Sequence, residues 1–362
     1  MIRAALRPML PPLLLLLLAP LAGCQALGYY GQAIGGHLSI ITAGQPVDQL
    51  IADPATDGQL RRRLEVAREA RDFASAELGL PDNDSYRSYV DLGRPFATWN
   101  VIAAGEFSVD AETWCFPIAG CVAYRGYYAE QAAERYAVGL RTRGLDVAVN
   151  GAVAYSTLGW FDDPLLSSML RGDQLRTVGL IFHELAHQRL YVADDSDFNE
   201  AFATFVEHEG VRRWLAARRQ EGDGEARYAA GLARREDFAA LLGEARAELA
   251  AIYASDADAA AKRRAKAAGF DRLRTAYATL RDGRWEGYSG YDRWFDRELN
   301  NAHLVAVATY FRWVPAFAAL YRQSGGELAA FYSAAAARGE LPMAPRRARL
   351  RELLAASRAG AD

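Results

Sequence analysis

Apolar positions along this chain recur with helical spacing at both ends, and give way to short aromatic and β-branched runs in between. From Tyr30 to Leu80 the pattern is helical. Leu60, Leu64, Ala67 and Phe73 mark one face of an arginine-rich helix that Gly79-Leu80-Pro81 should stop. Between residues 86 and 125 the character changes, and runs such as Thr98-Trp99-Asn100-Val101-Ile102 and Glu106-Phe107-Ser108-Val109 predict strands joined by turns. A helix is expected from Tyr128 to Arg143, ended by Gly144, and a strand from Asp146 to Tyr155. After Glu209 the chain reads as almost wholly helical. Within that part a charged hairpin from Asp237 to Asp282 is expected to project into solvent, a helical segment runs from Tyr291 to Tyr310, and Val314-Pro315 should kink or restart a helix. The expectation is an α+β protein with a small mixed sheet over residues 86–165 and a mostly helical C-terminal half. It divides into residues 1–23, a leader, 24–85, a helical segment, 86–215, a core, and 216–362, a helical region.

One apolar segment runs straight into chemistry. Val178-Gly179-Leu180-Ile181-Phe182 leads to His183-Glu184-Leu185-Ala186-His187, an HExxH string in a chain with five histidines. On a helix, histidines four apart lie on one face about 6 Å apart along the axis, near enough to hold one ion. Glu184 can then reach a metal-bound water and act as its general base. Arg189 stands where zinc peptidases usually carry an apolar residue, and the plain alternative is a helix that happens to carry polar residues on one seam.

A metal needs a third ligand. Phe198, Ala201, Phe202, Phe205 and Val206 have the spacing of a buried helical face, which leaves Glu200, Thr204 and Glu207 on another. A turn and an antiparallel second helix would return Glu200 over His183 and His187, completing a two-histidine, one-glutamate set for Zn2+ with an open fourth position. The rival reading is a capping box from Asp197 to Glu200. Glu207, about 10 Å further along the axis, is too distant to share the ion and would orient a histidine or bind a substrate amine. His208 reads as a surface or supporting residue. Further on, Asn301, His303 and Tyr310 are candidates beside the reacting carbonyl, with Tyr310 stabilising its oxyanion; the alternative is that they are core residues with satisfied polar tips.

The N-terminus adds a location. Arg3 and Arg7 precede an apolar run from Leu10 to Leu18, and Leu21-Ala22-Gly23-Cys24 is a lipobox. The run is short for a membrane span, so the expected product is a body lipid-anchored at Cys24, with a single-span anchor as the alternative. Gln25 carries no inner-membrane retention signal, which points to the outer membrane facing the periplasm. Cys115 and Cys121 then form an even pair in an oxidising compartment, and a small-loop disulfide is expected; two cysteines without a nearby histidine make a poor second metal site. The net charge of −3, with both signs interspersed, gives no reason to expect nucleic acid.

The segment from Ala154 to Pro164, just ahead of the HExxH string, is expected to be an edge strand ended by Pro164, either ordinary or able to bind a peptide by β-augmentation. Its Ser156-Thr157-Leu158-Gly159-Trp160-Phe161-Asp162-Asp163-Pro164 run, together with the lipobox, Trp114-Cys115-Phe116-Pro117-Ile118-Ala119-Gly120-Cys121, Tyr124-Arg125-Gly126-Tyr127, the HExxH string, Asn199-Glu200-Ala201-Phe202-Ala203 and Leu299-Asn300-Asn301-Ala302, resembles the bacterial aminopeptidase lipoproteins of the zincin superfamily. The resemblance covers nearly the whole chain after the leader. It implies a zincin-like fold and a gluzincin-type zinc peptidase acting on peptides, with His183, His187 and Glu200 as ligands and Glu184 as catalyst. Asn199-Glu200-Ala201 is also similar to the Asn-Glu-Ala of thermolysin-like gluzincins, whose supporting aspartate is here Thr204. The Gly-Ala-Met-Glu-Asn run of well-known zinc aminopeptidases is missing, and Glu207 is the candidate to hold a substrate amino terminus. Two rival functions remain: a non-enzymatic envelope scaffold and a cell-wall peptide hydrolase.

Overall fold

A computed structural model describes residues 19–116, 120–218, 223–305 and 313–359, with side chains from residue 28 to residue 357. The N-terminal part comprises α1 (Ala19–Ile41), β1 (Gln45–Pro46), α2 (Val47–Ala52) and α3 (Gly58–Ala76). Asp57 caps α3 by accepting from the amides of Gln59 and Leu60, and Gly79, at φ +64°, takes the chain away from the helix before Pro81. The strand region follows with β2 (Ser88–Val90), β3 (Thr98–Gly105), β4 (Trp114–Phe116), β5 (Gly120–Val122), β6 (Arg125–Tyr127), α4 (Glu130–Arg141), β7 (Leu145–Ala152) and β8 (Leu165–Leu166). Next come α5 (Gln174–Arg189), α6 (Ser196–Arg218), α7 (Gly224–Ala254), α8 (Ala259–Asp282), α9 (Asp292–Phe295), α10 (Val314–Gln323), α11 (Leu328–Gly339) and α12 (Met343–Ala359). The fold is α+β, with small sheets among many helices.

The strands form three small sheets, ordered β1-β2-β8, β6-β3-β7 and β4-β5. β3 pairs antiparallel with β7 along its whole length, from Thr98 opposite Ala152 to Gly105 opposite Leu145. Alternation sends Trp99, Val101 and Ala103 towards Ala133, Ala137 and Leu140 of α4, while Ile102 and Ala104 pack under Ala302 and Val305. Burial on both faces explains why β3 reads as a continuous apolar run.

Several expectations are corrected. Glu106-Phe107-Ser108-Val109 is a turn, closed by the Ser108 amide donating to Gly105 O, and the Glu106 carboxylate is taken by Arg263. The segment from Ala154 to Pro164 is no strand: Leu158 and Gly159 have positive φ, and Thr157 donates its amide to Asp163 and accepts at Oγ1 from the Phe161 amide. Instead β8 begins after Pro164 and pairs in parallel with β2, so residues 154–164 offer no edge for β-augmentation. The Asp237–Asp282 stretch is not a bare excursion, because α7 and α8 pack around their own core of Phe238, Leu242, Leu249, Phe270, Leu273 and Tyr277. Among the described residues of 291–310, the expected helix is broken into α9 and a helical stretch at 301–305. Residues 306–312, Tyr310 among them, lie outside the described residues. Pro315 sits in the first turn of α10, where its missing amide costs no bond.

The main core surrounds α5 and α6. Val178, Ile181, Phe182, Leu185 and Ala186 of α5 pack against Leu64, Ala67 and Ala70 of α3 and against α6, whose Phe198 and Phe202 meet Phe317 and Phe331. Among the described residues no helix is long and apolar enough to cross a membrane.

Candidate functional site

His183, Glu184 and His187 all lie on α5, whose N-terminus Asp173 caps by accepting from the Leu175 amide. At the other end Asn83 donates to Gln188 Oε1 and Gln188 donates to Ser85 Oγ, so the C-terminal end of the helix is held from outside. The turn that follows is rigid for local reasons. Asn199 accepts from the Val192 amide at 2.8 Å and donates to the Val192 carbonyl at 2.7 Å, folding the loop onto the start of α6. Asp195 caps that start by accepting from the Phe198 amide at 3.3 Å, and is fixed in turn by Arg346 at 2.6 Å. The cap is therefore Asp195 and not the Asp197–Glu200 box.

With Glu200 free of the cap, α6 runs back along α5. Gly179 lets the helices close, since a Cβ there would lie 3.1 Å from the Glu207 side chain. One ligand-type atom from each of His183, His187 and Glu200 falls within 4.8 Å of the others. The two histidine Nε2 atoms are 3.2 Å apart, His183 Nε2 is 3.4 Å from Glu200 Oε2, and His187 Nε2 is 3.7 Å from Glu200 Oε1. Thr204, one turn beyond Glu200, is buried.

The second nitrogen of His183 is committed elsewhere. Its Nδ1 donates to Glu207 Oε2 at 3.2 Å, while Arg235 donates to Glu207 Oε1 at 3.3 Å. A carboxylate only accepts, so this bond keeps a proton on Nδ1 and leaves Nε2 as the nitrogen facing the cluster, a donor atom for an ion whenever the ring is neutral. Of the two expectations for Glu207, orienting a histidine is the one whose geometry is present. His208 is half-buried, and burial pushes its pKa down to about 4.

Electrostatics give each group a different bias. Burial opposes a charged His183, but the hydrogen bonds and charges of Glu200 and Glu207 outweigh it and hold its pKa well above the ordinary value. Burial pushes His187 down to about 4. Glu200 is held low by His187 and His183, although burial works the other way. The cluster thus favours positive charge between carboxylates. Glu184 is raised to about 7, first by burial and then by the charges of Glu200, Asp163 and Glu207, against the pull of His183.

Two neighbours were not singled out from the sequence. Tyr124 sits between β5 and β6 and is 41 % exposed, yet its hydroxyl end is enclosed. Burial and the charges of Glu200, Tyr191 and Glu184 push its pKa up. Its position is set upstream, where the Cys121 amide donates to Asp194 Oδ1 at 2.7 Å on the α5–α6 turn. Cys115 and Cys121 face each other across the β4–β5 hairpin and are disulfide-bonded, with Cα atoms 3.9 Å apart. Asp163, 1 % exposed, accepts from the Thr157 amide at Oδ2 and has no protein partner at Oδ1. Both residues lie inside the runs that carry the family resemblance, which was the only signal for them.

Asn301 is drawn into a different set of contacts. Its amide donates to the carbonyls of Gly105 and Glu106, and its oxygen accepts from Tyr253, so its bonds tie the end of β3 to α7. His303 bonds to Asn300.

Neither the curated proteins nor the solved structures include a significant match to the chain. A family model does match, over residues 28–350, which is most of the length and includes every site residue above. Its name suggests a peptidase. The chain belongs to the family described as "Putative aminopeptidase".

Proposed function

We propose that this chain is a zinc-dependent peptidase of the zincin type, acting as an aminopeptidase, with His183, His187 and Glu200 holding the ion. The observation that carries the reading is the spacing of the three donors. Donors placed tetrahedrally at zinc bond lengths of about 2.0 to 2.1 Å lie about 3.3 to 3.4 Å from one another. The separations of 3.2, 3.4 and 3.7 Å fit that edge length. Two neutral imidazoles and one carboxylate are the donor set of a catalytic zinc site with an open position, and Glu207 supplies the outer hydrogen bond such histidines require.

When bound, zinc supplies Lewis acidity, polarising a carbonyl and lowering the pKa of coordinated water to about 7. Glu184 accepts a proton from the attacking water as its oxygen bonds to the scissile carbonyl carbon. As the carbon–nitrogen bond breaks, Glu184 returns that proton to the leaving amine, a step suited to a carboxylate held near neutrality. The Tyr124 hydroxyl donates a hydrogen bond to the carbonyl oxygen as it gains negative charge. The protein acts from the cell envelope, lipid-anchored at Cys24 and facing the periplasm.

Elemental analysis of the purified protein and of His183→Ala, together with cleavage of a free-peptide library, tests the reading. About one zinc per chain in the wild type, its loss in the variant, and amino-terminal trimming that disappears with it are expected. Zinc without cleavage of any peptide would leave the envelope scaffold. Cleavage confined to peptidoglycan fragments would assign the site to cell-wall peptides.

A further inference from the structure

The rotation of α1 is fixed by its inner face. Tyr29 packs on Tyr127 and Phe116, Gln32 donates to Gly126 O and accepts from the Tyr128 amide, and His37 meets Tyr155. Gly36 lies so close to the Tyr128 ring that a Cβ would be 2.3 Å from it. With that face locked, Tyr30, Ile34 and Leu38 point outward at 40, 59 and 48 % exposure, four residues apart on one stripe. The stripe does not end with the helix. Phe161 packs on His37 with ring centroids 4.9 Å apart, and Phe161 and Trp160 are themselves 51 and 68 % exposed. Five of the nine exposed large hydrophobic residues among those described therefore belong to α1 and the adjoining loop. Singly exposed apolar residues are ordinary, whereas such a grouping marks a docking surface.

Its occupant follows from the chain that leads into it. Residues 24–47 contain no Asp, Glu, Lys or Arg, and Cys24, the residue expected to carry the lipid, lies in α1 itself, six residues before Tyr30. An uncharged helix with an aliphatic stripe, flanked by Tyr and Trp and tethered by a lipid at Cys24, matches the region where lipid headgroups meet acyl chains. We propose that Tyr30, Ile34, Leu38, Trp160 and Phe161 form a bilayer-docking face that lays α1 along the membrane surface. This rests on the lipid-anchor reading above. Gly159 of the same loop lies beside Gln188, the residue after His187 near the end of α5, so docking turns that side of the His183–Glu200 cluster to the lipid. Peptides presented at the membrane surface are then the substrates best placed to reach it.

The test uses the full chain reconstituted in vesicles of phosphatidylethanolamine and phosphatidylglycerol. A nitroxide is carried at Ile34→Cys or Trp160→Cys, or at Tyr288→Cys, which is exposed on the connection after α8. The two face positions should show several-fold higher collision with oxygen, and several-fold lower collision with a water-soluble nickel chelate, than Tyr288→Cys. A protein that stays with the vesicles while all three labels meet the nickel chelate equally is anchored but undocked, which overturns the proposal and leaves the anchor. Failure to stay with the vesicles overturns both. Spin–spin broadening between copies at Ile34→Cys, unchanged by lipid, would assign the face to self-association and overturn it as well.

Discussion

His183 donates from Nδ1 to Glu207 across 3.2 Å, and that bond decides which nitrogen faces His187 and Glu200. Glu207 is kept ionised by His183, His208 and Arg235, which bring its pKa down to about 2 although burial acts in the opposite direction. Removing the carboxylate in Glu207→Ala frees the ring to rotate or to change tautomer. Outer partners of this kind typically change metal affinity by about 10- to 100-fold. Zinc affinity of Glu207→Ala, measured by competition with a chelator, should fall within that range while the fold survives. An unchanged affinity would deny Glu207 any part in orienting His183.

Glu184 contributes no atom to the three-donor cluster, so its loss should separate chemistry from metal binding. Glu184→Gln is expected to keep zinc at the wild-type level and to lose about 10² to 10⁴ in kcat, the usual range for a proton-transferring side chain. Turnover near wild type would remove Glu184 from the mechanism.

These residues were legible in the sequence because helix geometry alone sets their relations. The four-residue step from His183 to His187 and the apolar spacing of Phe198, Phe202 and Phe205 fix which faces meet, whatever the rest of the chain does. The boundary of α6 was harder. Asp195 and Asp197 both suit a cap, and what decides between them is Arg346, about 150 residues away and invisible to local spacing. The loop at 154–164 was misread for a related reason: Thr157, Phe161 and Trp160 have strand-like propensity, but hydrogen bonds to the Thr157 amide and hydroxyl, and positive φ at Leu158, close it into turns. Tyr124 could not be found by period at all, because a tertiary bond from Cys121 to Asp194 positions it.

Tyr124 is the group outside α5 and α6 expected to matter most for the chemical step. Tyr124→Phe keeps the ring and deletes only the hydroxyl. Loss of one donor to a developing oxyanion typically costs about 10²- to 10³-fold in kcat. That loss, with KM and zinc content little changed and a phosphinic peptide bound correspondingly more weakly, is the expected outcome. An equal loss of affinity for an ordinary product peptide would show that the hydroxyl serves ground-state binding instead.

The pair Arg346–Asp195 should be a stability determinant with no role in chemistry. Both side chains are at least nine-tenths buried, and Arg346 also donates to the carbonyls of Gly339 and Leu341. Arg346→Met leaves the buried Asp195 with only the more distant Arg347, at 3.8 Å, a change that costs up to about 3 to 5 kcal/mol in comparable pairs. Urea denaturation should show a loss of that order, with kcat per folded molecule unaltered.

Asp163 should make stability fall as pH rises. Burial raises its pKa to about 6 from 3.8, against the hydrogen bonds from Thr157 and Ser156 that favour the ionised form. A carboxyl that holds its proton more tightly when folded binds more protons in the native state than in the unfolded one, across the window from about pH 4 to about pH 6. Its contribution therefore declines through that window and is fully unfavourable above it, by about 3 kcal/mol at one pKa unit per 1.36 kcal/mol. A carboxamide in its place cannot ionise, and its oxygen can still accept from the Thr157 amide. Asp163→Asn should accordingly gain stability over the wild type from pH 5 to pH 7.5, read as a diverging difference in urea midpoints. A difference that stays constant between those two pH values would mean that Asp163 ionises in the native protein without penalty, and that Oδ1 has a partner beyond the protein's own groups.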